Sequence, residues 1–227
     1  MASKKIAIAL TNHRTLGSTG EPTGFWLSEM THPYFVFRYA GLDVDLISPK
    51  GGLAPIDPKS LDLKDPENRE FMENPELKAK LEKTLPASSV NPLEHAAIFF
   101  AGGHGTMWDF PDSEPLISLG RAIYEQGGVV GAVCHGPAAL VNLTLSDGNY
   151  LVARKALTAF SNEEEEAVGL HRVVPFLLES KLVERGARFE KAAPWHPKAV
   201  ISERLVTGQN PASAKATGEK VLELLQK

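Results

Sequence analysis

Between Val129 and Val133 the chain carries no polar side chain, so a strand there is apolar on both faces and must be covered on both. The signature recurs at Ile6–Leu10, Val44–Ser48, Ala96–Ala101 and Leu205–Thr207, short runs rich in β-branched or apolar residues. Between these runs the pattern predicts helices around 33–40, 68–85, 115–126, 137–143, 174–185 and 211–226. Strands buried on two faces and separated by helices call for parallel pairing through right-handed crossovers. The expected fold is therefore α/β, a doubly wound, mostly parallel sheet sandwiched by helices. The last helix is the best signalled. Asn210 can cap it, Pro211 suits its first position, and Val221, Leu222, Leu224 and Leu225 supply a buried stripe.

A length of 227 residues suits one α/β domain over residues 1–227. From 49 to 92 the chain is rich in proline and charge, including Asp57-Pro58 and Asp65-Pro66. That stretch reads as an excursion from the sheet with a helix inside it, a small cap rather than a linker. The formal net charge is −4 with no dense Lys/Arg cluster, which argues against nucleic acid or an anionic membrane as partner. No segment approaches the roughly 18 apolar residues of a membrane span. Met1–Lys5 is charged but precedes an apolar run shorter than the ~7–15 residues a signal peptide needs, so a first strand is expected. The sole cysteine can form neither an internal disulfide nor a Cys-based zinc cluster, which together with these features favours a cytoplasmic protein.

That cysteine carries the chemistry. The apolar strand 129–133 runs directly into Cys134-His135-Gly136-Pro137, followed by Ala138-Ala139-Leu140. This is the strand–turn–helix of a nucleophile elbow with cysteine in place of serine. Ala132 and Gly136 are small, as a sharp and strained turn needs. A helix starting after Cys134 would aim its positive end at the sulfur and lower the thiol pKa. A second loop, Ala101-Gly102-Gly103-His104-Gly105-Thr106, also follows an apolar strand, and its glycines let backbone N–H groups converge on an anion. Both loops belong beyond the carboxyl ends of strands, where open α/β sheets bind ligands. Trp108 and Asp109 are expected to pack that loop.

Four segments together resemble the DJ-1/PfpI superfamily. They are Thr23-Gly-Phe-Trp-Leu-Ser-Glu29-Met-Thr-His-Pro33, the loop Ala101–Asp109, the elbow Ala132–Gly136, and Thr207-Gly-Gln-Asn-Pro-Ala-Ser213. More narrowly they are similar to its Hsp31-like branch, the glutathione-independent glyoxalase III and chaperone-type proteins. The resemblance runs from Ile6 to Leu225 with the motifs in the family's order. It implies a flavodoxin-like sandwich, shared with class I glutamine amidotransferases, and a cysteine–histidine–acid triad. Cys134 and His135 map to its first two members.

Aligning Val168-Gly169-Leu170 to the family's apolar-Gly-apolar step selects Glu165 as the acid, with Glu164 and Glu166 one register away. Three of the four consecutive glutamates 163–166 are expected to be a solvated helix start. The resemblance also places Glu29 against the cysteine as a proton shuttle. Like charge and burial would raise its pKa into a useful range. Gly102, Gly103, His104 and the His135 N–H would hold the substrate oxygen.

The implied reaction takes methylglyoxal or glyoxal, needs no cofactor or metal, and yields lactate from methylglyoxal. A homodimer is implied as well. The alternatives are a holdase chaperone, an oxidative-stress sensor built on the reactive cysteine, and a PfpI-like hydrolase or deglycase. Glutaminase chemistry would need a later His-x-Glu pair, and none of the seven histidines has glutamate two residues on. Glu94, His95 and His104 lack convincing metal-ligand spacing, since strand neighbours point to opposite faces.

Overall fold

The computed structural model describes residues 5–227; Met1–Lys4, the charged start, lie outside the described residues. Lys5–Ala9 forms β1, Val44–Ser48 β2, Leu85–Pro86 a short β3, His95–Phe100 β4 and Val129–Val133 β5. Ala156–Leu157 (β6) and Arg188–Phe189 (β7) pair with each other, while Ala199–Ser202 and Leu205–Gly208 are β8 and β9. The main sheet has seven strands in the order β3-β2-β1-β4-β5-β9-β8. Its pairings are parallel except β8 with β9.

The helices are α1 (Leu27–Tyr39), α2 (Pro66–Glu73), α3 (Pro75–Glu82), α4 (Thr106–Asp109), α5 (Glu114–Glu125), α6 (Asn162–Ala167), α7 (Leu178–Glu184) and α8 (Ala214–Leu225). Alternation along the strands sorts two cores. Ile6 and Ile8 of β1 and Phe99 of β4 pack with α1 and α8, whereas Ala7, Ala9, Ile98 and Phe100 pack with α5 and α7. Every one of these side chains is fully buried, and each large one stabilises the fold by roughly 1.5–3 kcal/mol.

Local chemistry explains where the elements depart from the expected bounds. α1 begins at Leu27 rather than near Pro33, so the proline lies inside it and leaves one backbone bond unmade. Gly218 of α8 packs directly on Pro33, where a Cβ would come within 3.0 Å of the proline Cα. The helix expected over 68–85 is two. Asn74 accepts from the N–H groups of Glu76 and Leu77, and Pro75 opens α3. The helix expected after the elbow is only a 3-10 turn, Gly136–Leu140. The sequence pattern does not announce strand β8, because Ala199–Ser202 is too short to show a period.

The stretch from 49 to 92 contributes β3, α2 and α3 and braces α1. Ser60 Oγ accepts from the Leu27 N–H at 2.9 Å, standing in for a missing N-cap side chain. Thr31 of α1 donates to Asn68 Oδ1 at 2.6 Å, and Phe25 N–H donates to Pro55 O at 2.9 Å. The first turn of α1, which carries Glu29, is thus held from a segment remote in sequence.

Candidate active site

The turn after β5 is held from three sides. Cys134 N–H donates to Gly208 O of β9, Phe160 N–H donates to Cys134 O, both at 2.9 Å, and Thr106 Oγ1 donates to His135 O at 3.0 Å. The same Thr106 hydroxyl lies 2.9 Å from Gly103 O, so it ties the elbow to the glycine loop. Cys134 sits at φ 59°, a left-handed conformation that non-glycine residues rarely adopt, and which its neighbours enforce. Gly136 is required because a Cβ would collide with the Phe100 carbonyl oxygen. Gly102 is required because a Cβ would collide with a Glu29 carboxyl oxygen.

These turns bring the expected residues together. His135 Nδ1 lies 3.4 Å from Cys134 Sγ, and its Nε2 lies 2.7 Å from Glu165 Oε2. Of the four consecutive glutamates, Glu165 is therefore the one paired with His135, while Glu163 and Glu166 are exposed. Glu164 corrects the expectation of a solvated helix start, since it is fully buried. It accepts five hydrogen bonds, from Ser161 N–H and Oγ–H, Trp195 N–H, Gln209 Nε2 and Asn210 Nδ2. The Ser161-x-x-Glu164 spacing is a capping box, a signal present in the sequence that fixes Glu164 at the third helical position.

Glu29 is fully buried beside the thiol, and among the described residues neither carboxyl oxygen has a partner with good hydrogen-bond geometry. Burial is the main reason its pKa stands well above the ordinary carboxylate range. The nearby thiol and Gly102 N–H favour the ionised form without overturning that effect. Burial likewise pushes the Cys134 thiol well up, helped by adjacent Glu29. This corrects the expected lowering by a helix. A five-residue 3-10 turn supplies little dipole, and desolvation of the thiolate outweighs it.

Burial also lowers the His135 pKa, leaving a neutral imidazole able to take a proton from sulfur. Glu165 is driven down to about 2 against the cost of its own burial by the two histidines bonded to it. The attraction of a charged imidazolium acts only at acid pH. Near neutrality the two N–H donors suffice to keep the carboxylate ionised.

The thiol opens onto a cavity of about 280 Å³, lined by Trp26, His104, His135, Phe160 and Trp195 among others. Phe160 lies 4.4 Å from the His135 ring and 5.8 Å from Trp195, centroid to centroid. The aromatic walls escaped sequence reasoning, because Phe160, Trp195 and Trp26 belong to separate loops. A larger depression of about 480 Å³ along α5 carries Glu114 as its one titratable group, with the hydroxyl residues Ser88 and Ser118 beside it. His13 stacks on Trp108 at 5.1 Å, and Asp109 accepts from Thr11 Oγ1 and Asn12 N–H, so these side chains pack the loop. His32 lies 2.8 Å from Asp65.

His104 Nε2, His135 Nε2 and Glu165 also lie close enough to grip a cation together. Both histidines bond to Glu165. No helix among the described residues is long and apolar enough to cross a membrane.

The DJ-1/PfpI family model matches residues 22–224. Glyoxalase 3 of Candida albicans is 35% identical, covering 96% of this chain and 97% of that protein. The glutathione-independent glyoxalase HSP31 of Saccharomyces cerevisiae is 32% identical over the full length of both. Among solved structures, the Rapid Encystment Protein 24 KDa of Francisella tularensis superposes with a TM-score of 0.95 at 41% identity, covering 98% of this chain and 99% of that one. Glyoxalase III of Candida albicans superposes at 0.91 with 31% identity, covering 98% and 97%. With a family model that matches from before α1 to within α8, this chain belongs to the DJ-1/PfpI family.

Proposed function

We propose that the chain is a glutathione-independent glyoxalase that converts methylglyoxal or a similar small 2-oxoaldehyde to a 2-hydroxy acid, lactate in the case of methylglyoxal. The observation that carries this reading is Glu29, a buried carboxyl beside Cys134 with no hydrogen-bond partner of good geometry among the described residues, whose pKa burial raises well above the ordinary carboxylate range. A hydrolase elbow needs only nucleophile, base and oxyanion donors. An additional protonated acid at the sulfur suits a reaction that moves a proton between adjacent carbons.

The steps follow from the placements. As Cys134 sulfur bonds to the aldehyde carbon, the thiol proton passes to His135 Nδ1 and Glu29 protonates the aldehyde oxygen, giving a hemithioacetal. Backbone N–H groups of the Gly102-Gly103-His104 turn and of His135 steady that oxygen. The Glu29 carboxylate then removes the proton on the sulfur-bearing carbon, forming an enediolate, and returns it to the neighbouring carbon. The hydroxyl proton meanwhile crosses between the two substrate oxygens. The product on sulfur is a lactoyl thioester, which water cleaves. Glu165 accepts from His135 Nε2 and so keeps the lone pair on Nδ1, facing sulfur.

The redox change is internal to the substrate, so no external cofactor enters the scheme. A thiol kept protonated by burial favours this reading over an oxidation sensor, which requires an accessible thiolate. The family likeness supports a homodimer, and light scattering of the purified protein tests it. A cytoplasmic setting fits the single unpaired thiol, and fractionation tests that.

Incubation with methylglyoxal in the absence of glutathione, followed by chiral lactate analysis, is the deciding measurement. Lactate from wild type, lost in Cys134→Ala and Glu29→Gln, is the expected result. No lactate from wild type, or full activity in either variant, overturns the reading.

A further inference from the structure

Glu165 serves two histidines rather than one. Its Oε2 accepts from His135 Nε2 at 2.7 Å and its Oε1 accepts from His104 Nε2 at 2.9 Å. A neutral imidazole that donates through Nε2 carries its lone pair on Nδ1. In His135 that lone pair faces Cys134 Sγ. In His104 it finds no donor among the described residues, and the ring, 11% exposed, belongs to the lining of the same cavity. The two rings lie 4.2 Å apart, and Phe160 packs edge-on to His104 at 6.1 Å, which fixes its orientation. One carboxylate thus presets two bases, one at the nucleophile and one beside it.

We propose that His104 is a second catalytic histidine, whose Nδ1 takes the proton of the water that hydrolyses the acylated Cys134. The inference rests on the glyoxalase reading above. His135 lies at the sulfur, the leaving-group side, holding the proton it took from the thiol. It returns that proton to sulfur when the carbon–sulfur bond breaks. It cannot also deprotonate the incoming water in the same step, so a different base is required.

Glu29 has just given up its proton to the substrate, yet it lies fully buried at the base of the site beside the thiol. His104 shares the cavity from which water enters. Oxygen of the water bonds to the thioester carbonyl carbon, its proton moves to His104 Nδ1, and collapse of the tetrahedral adduct expels sulfur. Lactic acid and the free thiol result, and the proton on His104 restores Glu29 or leaves to solvent.

The test is rapid mixing with methylglyoxal followed by a hydroxylamine quench. Hydroxylamine converts a thioester to lactoylhydroxamate and yields none from a hemithioacetal. In His104→Ala, thioester formation should stay within about threefold of wild type while steady-state lactate falls about 10²-fold and hydroxamate accumulates. Added imidazole should restore the hydrolysis step.

His104→Gln, which keeps an N–H for Glu165 but offers no base, should accumulate thioester in the same way. Its unfolding temperature and rate of Cys134 alkylation report whether the elbow is intact. Parallel slowing of both steps, or hydrolysis that imidazole does not rescue, would show that His104 only positions Glu165 and overturns the inference. Wild type that makes neither thioester nor lactate removes the glyoxalase reading itself, and the inference with it.

Discussion

Glu29 and Glu164 are both fully buried, each on the first turn of a helix near Cys134, and they are treated in opposite ways. Glu164 is met by five hydrogen bonds, two from Ser161 at its own helix cap and three that join α6 to the Trp195 loop and to the Gln209-Asn210 turn. Glu29 is met by none of good geometry. A buried carboxyl costs stability unless donors replace the lost water, so Glu164 acts as a tie-point of the fold. Glu29 keeps the cost and, with it, a raised pKa that favours the protonated carboxyl. The same side chain is a structural tie where the donors are supplied and, in the proposed reaction, the proton shuttle where they are withheld.

Glu29→Gln should break that contrast most visibly. Glutamine matches a protonated carboxyl in shape, so stability should stay within about 1 kcal/mol of wild type. Lactate formation should fall by about 10²–10⁴-fold, seen in kcat rather than KM. A variant with wild-type kcat would mean that Glu29 moves no proton. A variant that fails to fold would mean that its carboxyl is structural after all.

Glu164→Ala should do the reverse. It leaves Trp195 N–H, Gln209 Nε2 and Asn210 Nδ2 short of acceptors, at a cost of roughly 3 kcal/mol or more. For a chain of this size that is a fall in Tm on the order of 10 °C. At temperatures where the variant stays folded, KM should rise more than kcat falls, because Trp195 walls the cavity and the alanine releases it. Unchanged thermal stability would refute the tie-point role.

Much of this site can be read along the chain, and the division is physical. Strand β5, the elbow and the glycine loop are local features, each declared by adjacent residues. The pairing of His135 with Glu165 depends on a helical register, which the Ser161-x-x-Glu164 capping box carries once it is noticed. The isolation of Glu29 is not local. It depends on Ser60 capping α1 and on Gly102 lying against the carboxyl, so that among the described residues the thiol and the Gly102 N–H approach it without good hydrogen-bond geometry. The raised thiol pKa is likewise a sum over the whole surroundings, which a strand-to-helix pattern misses by counting the dipole and not the burial.

Two other carboxylates sharpen the comparison through pH. Glu165 has a lowered pKa, about 2, so its stabilising contribution is complete above pH 4.5 and is lost as pH falls from there. Asp109 is the opposite case. Burial raises its pKa to about 6 despite hydrogen bonds from Thr11 and Asn12. Its contribution is complete below pH 3.8 and is lost as pH rises through 6, by at most about 3 kcal/mol. Urea unfolding in buffers between pH 4 and 7 should therefore show Asp109→Asn with a flatter profile than wild type on the rising side. A profile identical to wild type would show that Asp109 does not hold its proton in the folded chain.

The smallest expected effect is at Trp195, whose backbone Glu164 holds and whose side chain lines the cavity at Cys134. Its backbone is left-handed at φ 67°, its N–H is held by Glu164, and its ring is 49% exposed above Phe160. Trp195→Gly relieves a strained conformation worth about 1 kcal/mol and removes a half-exposed apolar contact of similar size. Stability should therefore change little, and the Glu164 bond to the backbone N–H should survive. What disappears is one wall of the cavity, so KM should rise severalfold while kcat, which the proposed mechanism assigns to Cys134 and Glu29, holds. A fall in kcat as large as that of Glu29→Gln would mean that the aromatic wall, and not the isolated carboxyl, sets the barrier.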